Sequence, residues 1–482
     1  MANQTIGDKI KNYLFENKVM LLFVVITIGA FFASGLSTAV FFEQLFTRFG
    51  RNTFMVLALL IPIVAGLGLN FGIILGAMAA QISIFLVILW GGTGELGIVY
   101  IFLLSIPIAT LFGYMVGSLF NRMKGSEMVG GMVTGLFAEG FYQFFFLFFL
   151  GGIIPIANAR LMTPTGVGVV NVLDFSETGK RHVLEIIPII NILDVAFYGT
   201  VVAVIGMVII RLVKKQPIHI KSPGGMLKPF VLLGMLALAY GLSFIPPVHA
   251  YLSQNRLSGV TAVDVTLLIV SLYWLYVIIR TKVIEKKPGI PAKPIVYLVI
   301  IAVVYGVTWI PAINSGLEAV GIPVFSYLLI VALCFFLKWF MNTRLGQNMR
   351  TVGQNRAVAT AAGINVDRTR IIAMIMSTVL AAFGQIIILQ SLGMMNVYGA
   401  HTQVGLYAIA SLLLGGATVS KASAKNAIIG VLLFHALFIL APIAGTNLMG
   451  SANIGEYFRL FITYAVIALA LVMHAWKRSK KV

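Results

Sequence analysis

Long apolar stretches alternate with short charged stretches along the whole chain. A helix that spans a bilayer needs about 20 consecutive, mostly apolar residues. Runs without internal charge occupy 19–42, 53–69, 71–90, 97–119, 229–245, 263–279, 294–311, 323–341, 371–390, 404–420, 426–445 and 460–476. Two further runs, 128–150 and 186–210, each contain one carboxylate. The pattern predicts an all-α, polytopic integral membrane protein with about 10–14 transmembrane helices.

One place in this pattern does not fit a simple hairpin. Only Asn70 separates the run 53–69 from the run 71–90, and three glycines, Gly66, Gly68 and Gly72, lie around it. Unwound backbone at membrane depth is tolerated only where it is buried in protein or lines a wet cavity. We therefore expect a broken or re-entrant segment near 66–72.

Composition excludes a soluble protein and charge sets the orientation. The chain is 60% hydrophobic and 10% charged, whereas soluble domains have about 45–50% apolar and 25% charged residues. Its net charge is +19. With the N-terminus inside, most basic residues fall on the cytoplasmic side, as the positive-inside rule requires, and Arg48, Arg51 and Arg459 fall in outer loops. Both termini are then cytoplasmic, with tails at 1–18 and 477–482.

The basic surplus favours membrane lipids over nucleic acid as the partner. No loop combines a Lys/Arg stripe with interleaved aromatic residues, which a nucleic-acid surface would need. Basic residues beside helix ends are instead typical of topology determinants that contact anionic lipid.

The sequence contains no recognisable catalytic set. A Walker A pattern, an HExxH motif, a pair of cysteines with zinc spacing and a GxSxG motif are all absent. Cys334 is the one cysteine. We therefore expect no enzyme, no metal site and no cofactor bound by this chain. A scaffold or receptor without transport activity remains open.

Two carboxylates lie inside predicted spans. Glu139 is near the middle of 128–150, and Asp194 is about a third of the way into 186–210. An ionisable group in a span is costly and is a functional hypothesis by default. These groups could couple a secondary carrier to protons or sodium, or they could be structural, held by neighbours such as Gln143 or Asn191.

Uncharged amides in or beside the predicted spans are candidates for a solute route. An amide both donates and accepts hydrogen bonds without fixing a charge, which suits a neutral, hydroxyl-rich solute. The alternative for each is a hydrogen bond between helices. The candidates are Asn70, Gln81, Gln385, Gln390 and Gln403.

The loop 342–370 predicts a short helix with a smooth surface. Asn355 is a plausible N-cap, and Gly363 follows the run AVATAA, so the two residues bracket about two helical turns. A lipid-surface helix would carry large apolar side chains, whereas the side chains here are nearly all methyl-sized. A helix of this kind can insert into a groove on another protein.

Three stretches follow one another along the second half of the chain: TRLGQNMRTVGQNRAVATAAGI at 343–364, MSTVLAAFGQ at 376–385 and YAIASLLLGGATVS at 407–420. In order and spacing they resemble a known family, the permease subunits of prokaryotic ABC importers of the simple-sugar, ribose and nucleoside type. The stretch LGLNFGIILGAMAAQ at 67–81 resembles the glycine-broken segment early in the core of such permeases.

The resemblance implies a transmembrane permease domain at 19–476 whose coupling loop, 342–370, docks on a cytoplasmic ATP-binding cassette subunit. The docking contact then consists of Gly353, Asn355, Ala361, Ala362, Gly363 and Ile364. It also implies a second permease subunit, an extracytoplasmic solute-binding protein and a multi-pass location in the prokaryotic plasma (inner) membrane. ATP and Mg²⁺ are used by the partner ATPase.

This chain differs from the family pattern in two respects. Where the family usually has a second glycine pair after Gly415 and Gly416, this chain continues ATVSKASAK. It is also longer than the usual core, with additional spans and a basic linker between about 151 and 300. The length favours a related chain over a second copy as the other permease half. The solute remains open among sugars, nucleosides, riboflavin and branched-chain amino acids.

Overall fold

The computed structural model describes most of the chain outside its N-terminus and its middle third. The described residues are 18–175 except 93, 157, 159, 160 and 165, then 227–254, 292–308 and 322–479, with scattered positions within 194–209, within 267–278 and at 310. Most of the predicted spans 186–210 and 263–279 therefore lies outside the described residues. The same holds for the predicted N-terminal tail apart from Lys18, and for the C-terminal tail beyond Ser479.

The described part of the chain is almost entirely helical. The helices before the middle third are α1 Lys18–Ser34, α2 Thr38–Ala58, α3 Leu60–Val64, α4 Ile73–Leu89, α5 Gly94–Arg122 and α6 Glu127–Phe144. A π-helical turn, Phe145–Phe149, and a last turn, Leu150–Gly152, continue α6. The helices after it are α7 Leu227–Leu242, α8 Pro246–Gln254, α9 Ala292–Thr308, α10 Val324–Phe340, α11 Arg344–Gln354, α12 Arg356–Ala361, α13 Val366–Leu392, α14 Thr402–Leu414, α15 Ala424–Met449 and α16 Ala452–Ser479.

The prediction of a helical, polytopic membrane protein is confirmed. Within the described residues, five helical stretches are long and apolar enough to cross a membrane. They are Thr38–Val64, Leu96–Arg122, Glu127–Gly152, Val366–Leu392 and Ala424–Met449. A sixth is formed if the bent pair α10 and α11 counts as one span. Several apolar helices of 10–17 residues add to these, and the number of crossings, 10–14, stays a prediction.

The chain forms two compact units by its own contacts. One comprises Met1–Val183 together with Ser326–Val482, and the other comprises Leu184–Phe325. The single permease domain at 19–476 stays a prediction. All the sites described below, apart from Asp194, lie in the first unit.

Helix α13 is the centre of the first unit, where it packs against α2, α4 and α5. Lipid-embedded helices gain little from hydrophobic burial against each other, so close contact depends on small residues. Gly113 and Gly117 of α5 meet the backbone of α13, with no room for larger side chains. Gly384 of α13 meets the backbone of α2 at Met55 in the same way. Glycine thus permits the packing that brings the functional residues together.

The first predicted span needs correction. The run 19–42 is not one helix, because α1 ends at Ser34 and α2 begins at Thr38, and Gly35 between them has φ of +63°. The predicted outer loop with Arg48 and Arg51 is part of α2 instead. The prediction placed these arginines in a loop because a charge normally marks the end of an apolar span. In the structure the Arg48 guanidinium lies 5.1 Å from the centre of the Phe438 ring, and this cation–π contact accommodates the charge within the helix.

Arg459 was also predicted to lie in an outer loop, and it too lies in a helix. It is part of α16, where it forms an ion pair with Glu456 at 2.5 Å. Its guanidinium lies 4.4 Å from the centre of the Phe438 ring. Charged residues near the ends of these helices are therefore accommodated by pairing and by aromatic faces.

The predicted break near 66–72 is confirmed. Helix α3 ends at Val64 and α4 begins at Ile73, and Gly66 and Gly68 have φ of +73° and +75°. Left-handed backbone of this kind favours glycine because it lacks a Cβ. We call residues 65–72 the broken segment.

A small sheet departs from the all-α prediction. Strand β1, Val172–Asp174, pairs antiparallel with β2, Met394–Asn396, directly after α13. The pair holds the chain that leads from α13 into α14, which begins near the buried polar residues of the candidate site.

Candidate functional site

The chain turns sharply before the coupling loop reaches its short helix. Helix α11 is bent by 78° from α10. Thr343 caps α11, because its hydroxyl accepts a hydrogen bond from the Gly346 backbone N–H at 3.3 Å. A Cβ on Gly346 would overlap the backbone of Phe340 and Met341. A threonine cap and a glycine thus turn the loop across the end of the bundle.

The predicted short helix is present as α12. The Asn355 side-chain oxygen accepts hydrogen bonds from the backbone N–H groups of Ala357 at 2.9 Å and Val358 at 3.2 Å. The helix ends at Ala361 with Ala362 as its C-cap, and the next residue, Gly363, has a φ of +77°. The N-cap and the terminating glycine therefore act as the sequence predicts.

The outer surface of α12 is open and almost flat. Ala357, Val358 and Ala361 are exposed, and so are Ala362 and Gly363 directly after the helix. The largest of these side chains, Val358, is 56% exposed. Ile364 is half-buried. The predicted contact residues Asn355, Ala361, Ala362 and Gly363 thus lie on a surface that another protein could approach to backbone distance.

Gly353, also predicted to touch a partner, has an internal contact. A Cβ on Gly353 would overlap the carbonyl oxygen of Val64, and a Cβ on Gly66 would lie 2.7 Å from the Gly353 Cα. The end of α11 and the broken segment therefore meet backbone to backbone.

A charge cluster that the sequence did not predict lies beside this contact. It consists of Glu127, Arg356 and Arg370, from α6, α12 and α13. Glu127 Oε1 accepts from Arg356 Nη2 at 2.6 Å and from Arg370 Nη2 at 2.5 Å. The Arg370 side chain is fully buried. The sequence signal was an arginine and a glutamate that each lie directly before a predicted span, 371–390 and 128–150, where charge usually marks orientation.

Two of the predicted amides meet in the core around a histidine that the sequence did not single out. His401 Nδ1 lies 2.7 Å from Gln81 Oε1, and Gln385 Nε2 donates to the carbonyl of Ala400 at 3.1 Å. All three side chains are buried. We call Gln81, Gln385 and His401 the amide group.

The amide group adjoins an aromatic wall. The Tyr142 ring centre lies 4.7 Å from that of His401. Tyr142 also lines a cavity of about 710 Å³ formed largely by apolar side chains of α4, α5 and α6.

The other three amides lie apart from this group. Asn70 is buried in the broken segment, and among the described residues no hydrogen-bond partner meets either of its side-chain polar atoms. Gln390 is buried near the end of α13. Gln403 is exposed and accepts from the Tyr407 hydroxyl at 2.7 Å. The five predicted amides therefore do not line one continuous path.

Each intramembrane carboxylate has a local partner. Glu139 is half-buried and accepts from Gln143 Nε2 at 3.4 Å, four residues along α6. Asp194, in the second unit, is half-buried and lies near the Tyr240 hydroxyl. No group of three or more His, Cys, Asp or Glu suited to a metal ion occurs in the part of the chain that the structure describes.

Comparison with known proteins identifies a transport family. The family described as "Branched-chain amino acid transport system / permease component" matches residues 182–471. No solved structure matches this chain.

Among curated relatives, the Ribose import permease protein RbsC of Escherichia coli (strain K12) is 33% identical over 146 residues, 30% of this chain and 43% of the relative. The Probable ABC transporter permease protein YphD of the same strain is 30% identical over 157 residues, 33% of this chain and 45% of the relative. The Galactose/methyl galactoside import permease protein MglC of Haemophilus influenzae is 28% identical over 174 residues, 35% of this chain and 48% of the relative. The chain thus spans less than half the length of each of these relatives.

Proposed function

The chain belongs to the family of permease components of branched-chain amino acid transport systems, and on that premise we propose that it is the membrane-spanning subunit of an ABC importer. A separate cytoplasmic ATPase subunit binds ATP and Mg²⁺, and this chain supplies the route for the solute. It is a transport subunit and not an enzyme.

The observation that carries this proposal is the surface of α12. A capped helix with exposed Ala357, Val358 and Ala361 stands at the end of a bent pair of helices. Small side chains let two backbones approach closely, so the helix fits a groove of a rigid partner. We assign the ATPase contact to this helix and to Asn355, Ala361, Ala362, Gly363 and Ile364, with Gly353 supporting the contact from inside.

Alternating access follows from such a contact. ATP binding closes two nucleotide-binding subunits, and the docked helices move with them. The membrane route then opens toward a solute-loaded extracytoplasmic binding protein. ATP acts by binding one state of the complex better than the other.

A sugar-like or nucleoside solute suits the residues of the route best. Gln81, Gln385 and His401 are neutral or can be neutral, and together they offer both donors and acceptors for hydroxyl groups. Asn70, Gln390 and Gln403 remain candidates for other parts of the route. Relatives named for ribose and for galactose agree with this class of solute.

The assembly places this chain in a prokaryotic plasma (inner) membrane as a multi-pass protein with both termini cytoplasmic. The end of the bundle that carries α12 is then the cytoplasmic end. The partners are the ATPase, a binding protein on the other side, surrounding lipid and a second permease subunit. That subunit is a related chain or a copy of this one.

Reconstitution with a bulky substitution tests the proposal. Ala361→Trp places a large side chain on the docking surface, and overpacking of a close contact costs about 1–3 kcal/mol. We expect the affinity for the ATPase to fall by about 5- to 150-fold, since 1.4 kcal/mol corresponds to tenfold in affinity, and the amount of ATPase that co-purifies to fall with it. ATP-dependent uptake into proteoliposomes falls with it, while the permease remains folded because Ala361 is exposed.

Lys421→Trp is the matched control. Lys421 is exposed in the loop between α14 and α15, and Val419 of that loop contacts Gly68 of the broken segment, so both variants lie at the same end of the bundle. The control keeps its ATPase and its uptake. An Ala361→Trp complex that stays intact and active would contradict the proposed docking surface.

The competing functions give different results in the same assay. A secondary carrier would take up solute without ATP, driven by an ion gradient. A scaffold or receptor would show no uptake under either condition.

A further inference from the structure

We propose that Arg356 and Glu127 are positioning residues that transmit movement of α12 to the broken segment, residues 65–72. This inference rests on the proposed function, since it assigns the path by which the docked ATPase acts on the membrane route.

The Arg356 guanidinium joins three elements. Arg356 is the first residue of α12. Its Nη2 donates to the Gly66 carbonyl at 3.2 Å and to Glu127 Oε1 at 2.6 Å. One side chain therefore connects the proposed docking helix to the broken segment and to the first turn of α6. Hydrogen bonds between ionised groups are shorter and about twice as strong as neutral ones.

Glu127 is itself held in place from other directions. Its Oε1 also accepts from Arg370 Nη2, and its Oε2 accepts from the Gly125 backbone N–H at 2.9 Å. Arg370 donates in turn to the Phe120 carbonyl at 3.3 Å. A fully buried arginine requires a negative partner, because an uncompensated buried charge is costly. These contacts hold the Glu127 carboxylate in place, so its bond to Arg356 keeps the start of α12 beside α6.

A second contact ties the same segment to the coupling loop. Gly353 and Gly66 touch through their backbones, and Gly353 also lies against the carbonyl of Val64. This contact comes from the end of α11, whereas the Arg356 contact comes from the start of α12. When α11 and α12 move together, residues 64–66 must follow unless both contacts break.

The rest of the broken segment is packed against other helices and loops, so a displacement of residues 64–66 is passed along the segment to α4. Gly68 lies against Met128 and Val419, and Gly72 lies against Val116. Directly after Gly72 begins α4, which carries Gln81 of the amide group. Movement of α12 thus reaches the amide group through one short segment and one helix.

The test compares Arg356→Gln with Lys124→Gln in the complex with its ATPase and binding protein. Lys124 forms an exposed ion pair with Asp367 at 3.0 Å, so its partner lies in α13 and not in the broken segment. Both variants remove one positive charge from the same end of the bundle. The quantity measured is solute taken up per ATP hydrolysed, with co-purified ATPase and thermal stability recorded for each variant.

We expect the uptake per ATP to fall about tenfold in Arg356→Gln, within the 5- to 150-fold range typical of coupling between sites. Arg356→Lys keeps the charge but loses the forked geometry and gives an intermediate ratio. Lys124→Gln keeps the wild-type ratio.

A merely structural Arg356 would give a different result. Thermal stability and the yield of complex would fall, but each remaining complex would take up as much solute per ATP as wild type, and this outcome overturns the inference. An equal fall in Lys124→Gln also overturns it. Failure of the wild-type complex to couple uptake to ATP would instead overturn the proposed function.

Discussion

The charge cluster and the amide group are both buried polar sites, but they use their hydrogen-bonding capacity differently. In the charge cluster, the Glu127 carboxylate accepts from two arginines and from a backbone N–H, so both charge signs are paired, although Arg370 Nε and Nη1 have no hydrogen-bond partner among the described residues. In the amide group, Gln81 Nε2, His401 Nε2 and Gln385 Oε1 have no hydrogen-bond partner among the described residues. Paired charges favour one geometry, because each alternative leaves a charge unpaired. Neutral groups with spare donors and acceptors can change partners at lower cost.

This difference fits the two roles proposed above. Paired ions keep their geometry, which suits the proposed linkage between α12 and the broken segment. Neutral groups can exchange hydrogen-bond partners, which suits the proposed solute route. The broken segment and α4 lie between the two sites and connect them along the chain.

The largest expected effect is on the charge cluster. Glu127→Gln leaves the fully buried Arg370 without a negative partner, and breaking a buried pair in this way costs about 3–5 kcal/mol. The thermal unfolding temperature of the detergent-purified permease should fall accordingly. Glu127→Met combined with Arg370→Met removes both buried charges and should destabilise less than Glu127→Gln alone. A double variant as unstable as the single one would contradict the charge argument.

A smaller effect is expected in the amide group. Gln81→Leu leaves His401 Nδ1 buried without its partner, and such a loss costs about 1–3 kcal/mol. The exposed amide Gln403 provides the matched control, because surface substitutions usually change stability by less than about 0.5 kcal/mol. Gln81→Leu should also lower solute uptake, whereas Gln403→Leu should not. Equal stability and uptake in the two variants would show that burial of Gln81 has no functional consequence.

The smallest effect is expected for the two carboxylates outside both sites. Glu139 and Asp194 are half-buried with one local partner each. Glu139→Gln and Asp194→Asn keep the side-chain shape and should retain ATP-dependent uptake within about twofold, as surface-like substitutions do. Uptake that disappears in either variant and that follows a proton or sodium gradient would favour the secondary carrier.

Local signals predicted the local structure well. Asn355 and Gly363 defined α12, because an N-cap and a terminating glycine act within a few residues of the chain. The glycines around Asn70 likewise indicated the break between α3 and α4. The extent of α2, Thr38–Ala58, was predicted wrongly, because the charges of Arg48 and Arg51 suggested a loop in what is the interior of this helix. Arg48 lies over an aromatic ring that is supplied from a distant part of the chain.

Composition, hydropathy and capping residues were enough to predict a helical membrane protein and to locate the short capped helix α12. These signals are local, since each acts within one stretch of the chain. The sequence did not predict that Glu127 pairs with Arg356 and Arg370, that Gly353 touches Gly66, or that Gln81 meets His401. Those contacts join residues more than 200 positions apart, and only the packing of glycine-faced helices around α13 brings them together.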